Sequence, residues 1–187
     1  MLNTLPFAID EIVDQVGTTD GPSNGSQALN LDHLLGQKYE VDLKDGYGRR
    51  EFLLVELNIA TATFDVRGKV FTWDDDTTYK VAPCSGVGDR PVGVGYISLG
   101  RATVPDQAYF LVQTAGRCIV IGGDDVSGDP GAIDDTNKWV EADNDADLGK
   151  AIGTATYAKG ATFGRYVSGT HTDSAQIVID IIATLPG

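Results

Sequence analysis

Asp143-Asn144-Asp145-Ala146-Asp147 places carboxylates at alternate positions, the spacing with which a loop begins to wrap a calcium ion. The match ends there. Such a loop needs glycine at its sixth position for a sharp turn and a bidentate glutamate at its twelfth, and this chain has Leu148 and Thr154. Asp74-Asp75-Asp76, Asp124-Asp125 and Asp134-Asp135 are further oxygen-rich stretches. Their place between apolar runs reads better as acidic loop tips that blunt edge-to-edge pairing than as an ion site. A pair of glycosidase carboxylates needs one acid with a raised pKa in an apolar cleft. Glu40, Glu51, Glu56 and Glu141 lie on or beside expected strands. Glu56, inside Leu54-Val55-Glu56-Leu57, is the one of interest, and its expected place is the outward face or a pair with an arginine.

The remaining reactive types are sparse. His33 and His171 are the only histidines. Both stand in polar, turn-like surroundings, which argues against a catalytic base or a histidine metal site. Cys84 and Cys118 form no CxxC and no zinc spacing, so they read as small buried apolar residues. Gly86-Val87-Gly88-Asp89-Arg90-Pro91 fails the dinucleotide pattern because Pro91 stands where the third glycine belongs, and neither a P-loop nor a Gly-x-Ser-x-Gly elbow occurs. Trp73 and Trp139, with seven tyrosines, are expected in the core or at an interface rather than on a sugar platform. No catalytic, cofactor-binding or metal-ligating residue emerges, and the chain is not expected to be an enzyme.

The elements that would carry any site are short and apolar. The 187 residues suffice for one domain with a real core, and 42% apolar content is ordinary for a globular chain. With 27 acidic against 14 basic residues the formal charge is −13. Such a surface repels phosphates, so neither nucleic acid nor an anionic membrane is an expected partner. The first residues, Met1-Leu2-Asn3-Thr4-Leu5-Pro6, lack the basic and apolar regions of a signal peptide, no run is long enough for a membrane span, and synthesis in a cytoplasm is expected.

Residues 1–30 stand apart. Ile9, Ile12, Val13 and Val16 keep helical spacing, and Gly17 to Gln27 is a polar Gly/Pro/Ser linker. This reads as an N-terminal arm on a loose tether, followed by an all-β domain over residues 31–187, a small β-barrel or sandwich of short strands. A helical turn is expected within 29–35 and strands over 37–43, 51–60, 70–73, 79–82, 92–99, 108–113, 117–121, 138–141, 148–157, 162–167 and 175–182. Asp74–Thr78 is a hairpin tip, Thr114-Ala115-Gly116 a turn, and 122–135 a long exposed acidic loop. Pro91–Tyr96 and Ala151–Tyr157 resemble each other, with glycines that suggest bulges or bends.

The order of these strands resembles a known family. Arg50-Glu51-Phe52-Leu53-Leu54-Val55 resembles the opening Gly-Arg-x-Phe/Tyr-x-x-Val strand of tailed-phage capsid decoration (cement) proteins. Gly68-Lys69-Val70-Phe71 is similar to their Gly-x-x-Val strand, Arg90–Gly95 to their Pro-Val-Gly-Val-Ala segment, Phe110–Gly116 to their Val-Gln-x-x-Gly segment, and Ala151–Ala155 to a later Ile-Gly-x-Ala element. The resemblance spans about residues 48–183, and its weight lies in the order of motifs that are individually common. It implies a homotrimer on the outer surface of a phage head that clamps neighbouring major capsid subunits, with no cofactor and no turnover. Extended arms often make the grip, which singles out the apolar Leu2, Leu5, Phe7, Ile9, Ile12 and Val13 as capsid contacts. Two other readings remain: a different phage structural module (head fibre base, tail or baseplate part), or a carbohydrate-binding β-module.

Overall fold

A computed structural model describes residues 34–42, 46–61, 63–86, 89–96, 103–124, 131–143 and 148–182. The arm, His33, Asn144–Asp147 and the expected strand end at 97–99 lie outside these residues. The described chain is all-β. Its twelve strands are β1 (Lys38–Asp42), β2 (Arg49–Leu57), β3 (Thr63–Asp65), β4 (Val70–Asp75), β5 (Lys80–Pro83), β6 (Pro91–Tyr96), β7 (Thr103–Pro105), β8 (Tyr109–Ile121), β9 (Trp139–Ala142), β10 (Ala151–Thr154), β11 (Gly164–Ser168) and β12 (Gln176–Ile181). Ten of them form one sheet in the order β1-β2-β5-β4-β6-β8-β12-β11-β9-β10, and β3 pairs only with β7.

An additional β2–β8 pairing closes part of this sheet on itself. β2, β5, β4, β6 and β8 thereby make a circuit in which each strand bonds to the next, with β2–β5 parallel and the other joins antiparallel. Alternation explains the uninterrupted apolar run of β2. Leu53, Val55 and Leu57 point into the circuit with Phe71, Val81, Phe110 and Val112. Phe52 and Leu54 point the other way, onto Tyr39 and Leu111, where Leu34, Leu35 and Tyr96 complete a second cluster. A strand buried on both faces has no polar side, so its period-2 signal disappears. The ring stack Phe64–Phe71–Phe110, with centroids 6.1 and 5.0 Å apart, fills the circuit. Phe71 and Phe110, fully buried, each stabilise by about 1.5–3 kcal/mol.

β8 is the backbone of the molecule. Residues 109–115 pair with β2, and residues 116–121 pair with β12. The expected turn at Thr114-Ala115-Gly116 is therefore absent: one 13-residue strand runs through it. A register shift opposite Glu51/Phe52 and the positive φ of Gly116 (88°) bend the strand without reversing it. The buried Gln113 side chain fastens this bend, its amide nitrogen donating to the Ala115 and Arg117 carbonyls at 3.0 Å each. Beyond the bend, Cys118 and Val120 enter a third cluster with Ile177, Ile179 and Ile181 of β12, Val140, Phe163 and Ile133. Cross-strand Arg117 and Asp180 pair on the outside at 3.0 Å.

Two further expectations need correction. The acidic stretch 122–135 is not exposed throughout: Gly122, Gly123, Ala132 and Ile133 are buried, and Gly131 accepts from the Gly153 backbone at 2.6 Å. Ala132 and Ile133 are apolar and the adjoining backbone needs partners, so the loop returns to the core before β9. β3 and β7 were not expected at all. The hairpin lies where expected, but Asp74 and Asp75 continue β4 and the tip is 76–79. Asp75 accepts from the Thr77 and Thr78 hydroxyls at 2.6 and 2.8 Å, and these bonds hold its carboxyl down at about 2.

Candidate functional site

An open groove of about 620 Å³ lies at the place where β8 passes from the circuit to β12. Five parts of the chain line it. Tyr47 and Arg50 come from the approach to β2 and its start. Asp65, Arg67 and Lys69 come from the β3–β4 turn. Tyr96 ends β6, Ile119 lies on β8, and Ser174 and Gln176 precede and open β12. The turn is fixed to its surroundings by backbone bonds: Gly68 donates to Gly95 and accepts from Ile121, and Gly95 donates to Lys69.

Electrostatically the groove is the reverse of the molecule. Three of the chain's 14 basic residues line it against a single carboxylate, Asp65, in a protein with a charge of −13. Arg50 is 4% exposed and its guanidinium lies 5.2 Å from the Tyr47 ring centroid, a cation–π arrangement. The Arg67 guanidinium is half exposed, with Asp65 3.7 Å away. Around these charges Tyr47, Tyr96 and Ile119 supply apolar surface, and Ile119 is 36% exposed. The groove can therefore hold an extended segment carrying both carboxylates and apolar side chains. Cys118, on its floor, is a free thiol whose pKa burial pushes up.

The residues singled out in the sequence are not brought together. Glu56 pairs with Lys80 at 3.1 Å, a lysine where an arginine was expected. Cys84 is likewise buried and unoxidised. Trp73 stacks edge-on with Tyr79, and Trp139 with Tyr157, on different strands of the sheet, so they make separate aromatic pairs. Asp134 accepts from the Thr136 and Asn137 amides at 2.7 and 2.8 Å, closing its own turn. Among the described residues no group of three or more His, Cys, Asp or Glu could hold a metal ion. Leu2, Leu5, Phe7, Ile9, Ile12 and Val13 lie outside the described residues.

His171 overturns its reading as a residue in a polar turn. It is 1% exposed. The Ile133 amide donates to Nδ1 at 2.5 Å, which leaves the ring proton on Nε2, facing the Gly123 carbonyl at 3.3 Å. The imidazole thus bridges the two buried ends of the acidic loop. Beside it the buried Lys150 reaches Asp173 at 2.6 Å, and that bond holds the Asp173 carboxyl below the usual range. His171→Ala leaves the Ile133 N–H without its partner and opens a cavity, at a cost of about 3 kcal/mol. A lower urea midpoint with unchanged slope is the expected result, and an unchanged midpoint would show that the ring carries no such role.

No protein-family description matches the sequence, and no curated protein does so. Among solved structures, the chain is similar to the head fiber gp8.5 N base of bacteriophage phi29. The likeness has 13% identity and a TM-score of 0.45, over 71% of this chain and 94% of that one.

Proposed function

We propose that this chain is a structural virion protein, a decoration (cement) protein that binds the outside of a phage head as a homotrimer and ties major capsid subunits together without catalysis. One observation carries the reading. The four leading segments of the sequence resemblance, 50–55, 68–71, 90–95 and 110–116, lie on or lead into β2, β4, β6 and β8. These strands bond to one another in the continuous path β2-β8-β6-β4. Motifs scattered over some seventy positions are thus the walls of one β unit, as a shared fold requires.

The physical design suits a clamp. A sheet buried on both faces is stiff, an acidic surface keeps many copies soluble, and a trimer gains avidity from modest contacts. In this reading the arm residues Leu2, Leu5, Phe7, Ile9, Ile12 and Val13 enter the capsid lattice. The test is light scattering followed by co-sedimentation with undecorated phage heads. A mass about three times 19.8 kDa and saturable binding, lost in the Phe7→Asp/Ile9→Asp variant, is the expected result. A monomer that ignores heads would overturn it.

A further inference from the structure

We propose that the cationic groove is the resting place of the chain's own arm: the segment Ile9-Asp10-Glu11-Ile12-Val13-Asp14 docks between Arg50, Arg67, Lys69, Tyr47, Tyr96 and Ile119 of the same chain. The inference concerns the free protein and stands whether or not the cement reading holds.

Charge complementarity is the first argument. Residues 1–33 contain Asp10, Glu11, Asp14, Asp20 and Asp32 and no lysine or arginine. The groove lining carries three cations and one carboxylate, Asp65, with Asp173 near enough to feel the charge of Lys69. The second argument is pattern. Acidic and apolar residues interleave in this segment, and the groove interleaves cations with two tyrosines and an exposed isoleucine, so one occupant satisfies both. Its volume of about 620 Å³ falls in the range of about 300–1,000 Å³ for sites that bury most of a bound group.

Reach is the third argument, and it favours the same chain. Leu34 packs on the cluster of Tyr39, Phe52, Leu54 and Leu111 that also includes Tyr96, whose ring stands 5.0 Å from Phe52. Tyr96 also lines the groove. Leu34, where the described chain begins, and Tyr96 thus pack on one and the same cluster. Gly17 to Gln27, read from its composition as a Gly/Pro/Ser linker, would reach about 17–20 Å with the statistics of such a chain. A tether of that length gives a local concentration in the millimolar range, enough to favour a weak docking that a second copy would have to match from solution. The docked arm hides apolar side chains that would otherwise face water, and a partner that binds them more tightly draws the arm out.

The test is hydrogen–deuterium exchange on the full-length protein, read on peptides covering residues 7–16. In about 0.1 M NaCl, where the Debye length is about 10 Å, the expected result is exchange about tenfold slower than for an unstructured chain. In about 1 M NaCl, with a Debye length of about 3 Å, most of that slowing disappears. Arg67→Glu/Lys69→Glu abolishes it at low salt, and adding Asp10→Lys/Glu11→Lys restores it. Unprotected exchange at low salt would overturn the proposal, and so would protection indifferent to both salt and charge reversal. The salt series needs no variant. To assign the source, ¹⁵N-labelled wild type is refolded with an equal amount of unlabelled Arg67→Glu/Lys69→Glu chain. Protection confined to labelled arm peptides supports docking within one chain. Equal partial protection of both peptides would overturn it in favour of a neighbouring copy.

Discussion

Gly95→Val lowers the thermal midpoint by about 10–15 °C, the equivalent of about 4 kcal/mol in a chain of this length. Gly95 lies in β6, and any Cβ there falls on the carbonyl oxygen of Val66, with Phe71 Cε2 only 2.8 Å away. The neighbour is backbone, so it cannot swing aside as a flexible side chain would. The turn 66–69 must lift instead. Gly95 holds that turn through two bonds, its N–H to Lys69 O at 2.8 Å and its carbonyl from Gly68 N at 3.1 Å, each worth about 1 kcal/mol. Displacing Phe71 also disturbs its packing on Phe64 and Phe110, and overpacking of this kind costs about 1–3 kcal/mol. Gly86→Ala is the control, since a Cβ there meets nothing within 4 Å. Thermal melts followed by circular dichroism check both. A Gly95→Val midpoint within about 3 °C of wild type would show that the turn yields freely.

The same turn positions Arg67 and Lys69, so Gly95 is also the reason the groove has its cations in place. This dependence could not be read along the chain. Arg50, Arg67 and Lys69 are unremarkable polar residues in sequence, and only the β6–turn–β8 bonding together with the β2–β8 pairing gathers them. What the sequence did disclose was wherever periodicity or turn chemistry is local. The all-β class, the buried β2, the hairpin around Asp74–Thr78 and the final strand 176–181 are examples. The N-terminal arm and its boundary at residue 30 rest on composition alone. β3 and β7 escaped notice because three residues carry no period. His171 escaped because Thr170, Thr172 and Asp173 around it look solvated, while its burial comes from Ile133 and Gly123, 38 and 48 residues away. Thr114-Ala115-Gly116 was misread for a different reason: glycine with positive φ serves a bulge as well as a turn, and the partner strand decides between them.

Gly116→Ala tests that last distinction, with an expected loss of about 3 kcal/mol. Two costs combine. A φ of +88° is left-handed territory, where an alanine is strained by about 1 kcal/mol or more. The added Cβ would also stand 2.6 Å from the Arg49 carbonyl oxygen and 3.3 Å from the Arg50 Cα, closer than carbon and backbone oxygen tolerate. If the residue merely closed a hairpin, only the first cost would apply. Gly46→Ala isolates that cost, because Gly46 has a φ of +86° and open space around it. The expected order in urea denaturation is therefore wild type, then Gly46→Ala lower by about 1 kcal/mol, then Gly116→Ala lower by about 3. Equal losses in the two variants would mean that β2 moves away from the bend without resistance. A larger loss at Gly116 would show that β8 is held against β2 through the point where it changes partner. That junction joins the circuit to the second half of the sheet, and the groove opens beside it. The Gly116→Ala variant should then also loosen the Gln113 amide bonds to Ala115 and Arg117, visible as faster exchange of its side-chain NH₂ protons.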